Sequence, residues 1–342
     1  MKMQSAVVEQ FDGTLALRQL NIPSPQVDQV LIKTDAFGVC HTDHHADRGN
    51  WPLRPATPFI PGHEAIGQVI ELGVDVSNMK IGDRVGIPCL YSACDHRGFW
   101  LNAKKTLCPD ADIGGHTENG GLVEYIIADP SYVAHIPDGL STSQAAPIIC
   151  AGGVTTYKAV KETGAKYGEW IAISGCGGLG HLAIQYAKAL GLMVCAVDVD
   201  DGKLDHATQV GADAVINANA GDAATAVKEA TNGGAHGVLI TAPSLTAFRE
   251  GVDMTRKLGT CVLLGLPASE FPTPLFDVVS NSITIRGSFV VNRKDMVEAL
   301  AFAAEGKVKA NLTLQPIVSI NEIFKRLERG ETPSRVVIDL TN

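Results

Sequence analysis

The stretch "WIAISGCGGLGHLAIQYAKAL", residues 170–190, constrains this chain more than any other. An apolar run, glycines at G-x-G-x-x-G spacing (Gly175, Gly177 and Gly180) and a run with apolar residues on one face follow one another directly. Strand, glycine turn and helix in that order make a parallel βαβ unit. The first glycine permits the tight turn, the second lets the backbone approach a pyrophosphate, and the third lets helix and strand pack closely. Gly178 lies inside the same turn. A helix N-terminus placed there offers amide donors and a favourable dipole to an anion. The next apolar run, "MVCAVDVD", contains Asp198 at its end. A carboxylate at that point accepts both hydroxyls of a ribose and repels a 2′-phosphate. No arginine stands beside it in "VDVDDGKL". The pattern predicts a dinucleotide site that favours NAD over NADP.

The glycine turn sits in the second of two textures. Up to about residue 150 the chain is a series of short β-like runs punctuated by Gly, Pro and Asp, such as "QVLIKTDAFGVC", "AIGQVIELG" and "LVEYIIADP". From residue 152 apolar runs alternate with amphipathic helical ones, the signature of a parallel α/β sheet. After "SITIRGSFV" come one helix, "RKDMVEALAFAAEG", and a closing strand-like "SRVVIDL". That tail is too short to stand alone and is expected to complete one of the two domains. A length of 342 residues exceeds the reach of one hydrophobic core. A formal net charge of −9 gives no general attraction for phosphate backbones or anionic lipid, so neither nucleic acid nor membrane is expected as a partner. The start, "MKMQSAVVEQFDGTLALRQL", has no signal-peptide core, and no run approaches a membrane span. A cytoplasmic location is expected, with the cysteines as thiols.

"GVCHTDHHADRGNW" and "PGHEAIGQVIELG" put His41, His44, His45 and His63 close in sequence to Cys40, Asp43 and Glu64. The density suggests a metal. No pair has the compact spacing of a zinc knuckle, and nothing in the spacing joins Cys40 or His63 to the distant Cys150. Read from the residues alone, this is a suspected metal site with no reaction assigned to it.

Here the chain resembles the zinc-dependent medium-chain alcohol dehydrogenases, in particular the short bacterial and yeast type. The resemblance runs nearly end to end through "GVCHTD", "PGHEAIGQV", "LYSAC", "AAPIICAGGVTTYKA", "SGCGGLGHLAIQYAKALG", "VDVDDGKL", "VGADAVINA" and "SRVVID". It implies an α/β chain with a GroES-like β-rich catalytic domain, formed by residues 1–151 and completed by 291–342. A Rossmann domain with a doubly wound parallel sheet, residues 152–290, would be inserted between them. It further implies Cys40, His63 and Cys150 as ligands of one catalytic zinc per subunit. Asp43 would orient the ligand histidine, and Glu64 would be the acid beside the metal. Thr42 resembles the hydroxyl that takes the alcohol proton, with His45 at the solvent end of the relay. His41 and Arg335 match positions near the pyrophosphate, Lys203 a ribose contact and Thr155 a further cofactor contact. Trp51 and Cys89 would wall the substrate pocket, where Cys89 stands at a position commonly tryptophan. The implied chemistry is reversible: an alcohol ionises on zinc and passes hydride to NAD, giving an aldehyde or ketone. The subunit count implied is a homotetramer.

Two departures from the family pattern stand out. Relatives have "CAGVTTYKA" where this chain has an additional glycine, "CAGGVTTYKA". Most also carry a structural zinc in a C-x2-C-x2-C-x7-C lobe, of which this chain keeps Cys94 and Cys108 and has Arg97 and Trp100 between. Arginine cannot be a ligand and the indole offers no lone pair, so structural zinc is expected to be absent. Two other readings compete with the alcohol dehydrogenase: a zinc-free quinone oxidoreductase, opposed by Cys40, His63 and Cys150 together, and a catalytically silent NAD-binding protein, opposed by Thr42, His45 and Glu64.

Overall fold

The computed structural model describes all residues except 12, 51–53, 94–104, 268, 291, 333 and 342. The chain divides into two compact units. One comprises Met1–Ala151, Val290–Ala304 and Ala310–Asn342; the other comprises Gly152–Phe289 and Glu305–Lys309.

In the second unit, among the described residues, six strands form one sheet in which every pairing is parallel. Trp170–Ser174 lies between Met193–Asp198 and Ala235–Ile240. Ala214–Asn217 extends the sheet on one side, and Thr255–Leu263 then Thr284–Gly287 on the other. Trp170–Ser174 reads WIAIS and is buried on both faces except at Trp170, as a central parallel strand must be. The helix that follows, Gly180–Ala189, packs Ile184 in one core with Ile171 and Ile173 of that strand. Each such aliphatic side chain contributes about 1.5–3 kcal/mol when fully buried. Strand order reverses on either side of Trp170–Ser174, and the glycine turn opens at that strand's carboxyl end. Ligands of doubly wound sheets bind at this switch point.

In the first unit the strand Val30–Val39 is the organiser. It pairs antiparallel with Ala65–Leu72, with Tyr125–Ala128 and with the closing strand Arg335–Asp339, which in turn lies parallel to Leu312–Pro316. Near-continuous burial along VLIKTDAFGV explains why it can take neighbours on both edges. The register sets the site: Phe37 is opposite Ala65 and Val39 opposite Val336. The end of the first strand, the start of the second and the start of the last therefore meet at one point. Most of the tail lies in the first unit, with Glu305–Lys309 in the second. Among the described residues, no helix is long and apolar enough to cross a membrane.

Candidate active site

Cys40, His63 and Glu64 offer ligand atoms that all lie within 4.8 Å of one another, and all three are buried. Cys40 leaves Val30–Val39 and is the N-cap of the helix His41–Arg48. Asp43, in that helix's first turn, accepts the Cys40 amide at 2.9 Å through Oδ2. Its other oxygen, Oδ1, meets His63 Nδ1 at 2.8 Å. A carboxylate that caps a helix therefore also fixes the ring of the histidine beside it. With Nδ1 donating to Asp43, the Nε2 lone pair is the one presented to a cation. Burial alone would depress the His63 pKa, but the field and hydrogen bond of Asp43, with Cys40 adding, outweigh it and hold the imidazole well above its usual range.

Glu64 is fully buried and both its oxygens are engaged. Oε1 accepts the Ala151 amide at 2.7 Å, next to Cys150 in the chain. Oε2 is paired with the guanidinium of Arg335, which is also buried and within electrostatic reach of Cys40. Gly38 makes room for this pair: a Cβ there would fall 2.4 Å from Glu64 Oε2 and 3.0 Å from the Ala146 carbonyl. Sequence reading placed Arg335 near a pyrophosphate and missed its pairing with Glu64. No local signal links residues 271 apart; only the strand register does.

Cys150, just past the helix Thr142–Ile148, is buried at 1% exposure, within electrostatic reach of His63 and Glu64. The neighbouring Cys89 thiol, with burial, raises its pKa well above the ordinary value. Buried sulfur and imidazole donors without a cation favour the neutral thiol, whereas a cation holds the sulfur as thiolate. Two cysteines and a histidine suit zinc in an open, catalytic set. The additional glycine is taken up in a turn at 151–153, after which the helix Val154–Glu162 begins.

Thr42 Oγ1 lies 3.6 Å from Cys40 Sγ, and His45, one turn on, pairs through Nδ1 with Asn50 Oδ1 at 3.1 Å. His41 is exposed at the start of that helix, and His44 packs edge-on against Phe324 at 5.5 Å. Trp51, Cys94, Arg97 and Trp100 lie outside the described residues. Cys108 is buried.

The glycine turn of the second unit has the shape its spacing implies. Gly175 has φ +95°, and a Cβ on Gly180 would fall 1.8 Å from the Gly175 carbonyl oxygen. A Cβ on Gly177 meets nothing within 4 Å, so this face of the turn leaves space for a ligand. Asp198 is buried at the end of its strand, where it accepts the amides of Cys176 (2.6 Å), Val199 (2.8 Å) and Asp200 (3.1 Å). It thereby ties the glycine turn to the next βα turn. Lys203 is half-buried on the helix Asp201–Gln209. Thr155 Oγ1 is buried with no hydrogen-bond partner among the described residues. An orphaned hydroxyl and a turn open to an incoming ligand both fit a dinucleotide.

A buried thiol and imidazole centre in a β-rich unit, joined to a doubly wound sheet with a dinucleotide turn, defines a metal-dependent oxidoreductase class. Residues 26–138 match the alcohol dehydrogenase GroES-like domain, and residues 178–305 match the zinc-binding dehydrogenase domain. An alcohol dehydrogenase of Geobacillus stearothermophilus is 51% identical over 336 residues, 98% of this chain and 99% of the relative. One from Moraxella sp. (strain TAE123) is 47% identical, covering 99% of this chain and 100% of the relative. The crystal structure of the alcohol dehydrogenase from Aeropyrum pernix superposes with a TM-score of 0.90 at 28% identity, covering 98% of this chain and 99% of that one. The chain belongs to the zinc-dependent medium-chain alcohol dehydrogenase family.

Proposed function

We propose that this enzyme oxidises primary alcohols, with secondary or bulkier ones also accepted, to aldehydes and ketones with NAD, reversibly and in the cytoplasm. The observation that carries it is the single carboxylate of Asp43 holding Cys40 and His63 together, in a centre whose partners include Glu64, Arg335 and Cys150.

Cys40, His63 and Cys150 would hold one zinc. When bound, zinc supplies the Lewis acidity that lets an alcohol hydroxyl ionise near neutral pH, and NAD supplies the hydride acceptor. Asp43 fixes the tautomer and orientation of His63. Glu64, held by Ala151 N and Arg335, keeps a carboxylate beside the donors without leaving a buried charge uncompensated. Thr42, beside Cys40, takes the alcohol proton, and His45 delivers it to solvent. Gly175, Gly177, Gly178 and Gly180 cradle the pyrophosphate, with His41 contributing beside it. Arg335 remains a second group near the pyrophosphate, its Nε left without a partner among the described residues by the pairing with Glu64. Asp198 and Lys203 receive the adenosine ribose, and Thr155 gives its buried hydroxyl to the cofactor. Asp198 with Asp200 and Asp201 disfavours a 2′-phosphate. Cys89, small where relatives carry tryptophan, and Trp51 wall the alcohol site.

No second zinc is expected, because Arg97 and Trp100 replace two ligands of the structural set. A homotetramer is proposed. It is supported by Leu275, Phe276 and Val279, exposed at 73%, 82% and 76%, on the helix that precedes the sheet's end strand Thr284–Gly287 in the chain.

Steady-state reduction of NAD and of NADP across a panel of primary, secondary and branched alcohols tests the function. The expected result is turnover with NAD and primary alcohols at a kcat/KM well above that with NADP. Comparable values for the two cofactors would defeat the assignment of Asp198. Tight NAD binding with no turnover of any alcohol would leave a catalytically silent NAD-binding protein.

A further inference from the structure

One cavity of the first unit, about 100 Å³ in volume, has Cys89 and Cys150 in its wall and is graded in burial. Both cysteines are buried, as is Met296, and Leu90 is half-buried. Ser131 and Arg293 are exposed, so the opening lies on their side and Cys150 at the closed end. Lys105 is half-buried in the same wall, and its ammonium sits 5.0 Å from the centroid of the Tyr132 ring. That ring is itself fixed, because the Tyr132 hydroxyl donates to the Ala93 carbonyl at 2.9 Å. The lining therefore carries two cations, and no acidic side chain is among its described residues. In a chain of net charge −9 this local sign runs against the whole. A cavity with apolar walls and a few charged groups at one end selects both the charge and the orientation of what enters it.

We propose that the preferred alcohols of this enzyme carry a carboxylate at the end remote from the hydroxyl. Arg293 and Lys105 receive the carboxylate, and the carbinol end reaches inward past Leu90 and Met296 to Cys150. This substrate class rests on the reading of Cys150 as a zinc ligand of an alcohol dehydrogenase.

An uncharged alcohol leaves the two cations facing water. A carboxylate brings the opposite charge, and a guanidinium can receive it through two parallel N–H donors. The binding energy then comes from a part of the molecule that does not react, and it acts by placing the carbinol carbon. The carboxylate is unchanged in the reaction: hydride leaves the carbinol carbon for NAD, the hydroxyl proton leaves to solvent, and the product is an oxo acid.

Steady-state kinetics of the zinc-loaded enzyme with 4-hydroxybutanoate, 6-hydroxyhexanoate, the amides of both acids and 1-butanol test the proposal. Each amide has the shape of its acid without the charge. At one length or both, kcat/KM should favour the acid over its amide about tenfold or more, and the advantage should shrink as sodium chloride screens the open rim. In Arg293→Ala the acid-to-amide ratio should fall toward parity, mainly through KM, and Arg293→Lys should restore part of it. Binding is read apart from turnover by isothermal titration calorimetry of the metal-free protein. There the acid should bind more tightly than its amide, and the difference should vanish when Arg293→Ala and Lys105→Ala are combined. Equal kcat/KM for acid and amide at both lengths, or an acid preference that survives in the double variant, would overturn the proposal; turnover of 1-butanol in the same assay would leave the alcohol dehydrogenase reading standing. Turnover of none of these alcohols would overturn both.

Discussion

Asp43 connects more of the centre than any donor does, since its two oxygens hold the Cys40 amide and the His63 ring. Asp43→Asn keeps the shape but removes the charge and one acceptor. Zinc affinity and kcat/KM are each expected to fall about 10–100-fold, as for other partners of metal-bound histidines; unchanged zinc content and rate, by metal analysis and steady-state kinetics, would show that His63 needs no such support. Cys89 decides size. Cys89→Trp should depress kcat/KM for branched alcohols by about tenfold or more while sparing ethanol, because filling a pocket discriminates by bulk. An equal loss for ethanol would remove Cys89 from the pocket. Residue types alone make a metal plausible, but spacing does not join Cys40 to His63 or either to Cys150. The antiparallel register of Phe37 with Ala65 brings Cys40 to His63, and the buried pairing of Glu64 with Arg335 depends on another register, Val39 with Val336.

The glycine turn separates two requirements that its spacing merges. A Cβ on Gly180 would overlap the Gly175 carbonyl, and no rotamer relieves a clash with backbone; a Cβ on Gly177 has open space. Gly180→Ala should therefore lower the Tm of the apoprotein, at the upper end of the roughly 1–3 kcal/mol cost of overpacking. Gly177→Ala should leave the apoprotein Tm unchanged and raise the NAD Kd about tenfold, or about 1.4 kcal/mol. Calorimetry of both variants with and without NAD checks the pair; an equal loss of stability in the two would contradict the division of roles. This turn is legible in the sequence because everything it needs is local: an apolar strand, three glycines, a helix and an acid, in order. Asp198 is legible as a carboxylate at the strand end. Its three amide contacts to the glycine turn and the next turn are not, because they arise from two parallel strands lying side by side.

At the scale of the molecule, the proposed self-association rests on the apolar side chains left exposed on Leu275–Ser280, while the net charge of −9 gives no general attraction for a polyanion. Phe276→Glu should shift the assembly toward smaller species in analytical ultracentrifugation, and an unchanged sedimentation profile would place the interface elsewhere. The two textures read from the chain correspond to two compact units, whereas the return of the tail to the first unit depends on the pairing of Arg335–Asp339 with Val30–Val39, which no local pattern announces. The central claim is that one zinc, held by Cys40, His63 and Cys150, drives oxidation of alcohols by NAD. It is tested most directly by removing metal with a chelator, adding zinc back in measured amounts and following NADH formation from ethanol. Activity should be absent at the start, rise linearly and reach its plateau at one zinc per subunit. Full activity in the metal-free protein, or a plateau only at two zinc ions per subunit, would contradict it.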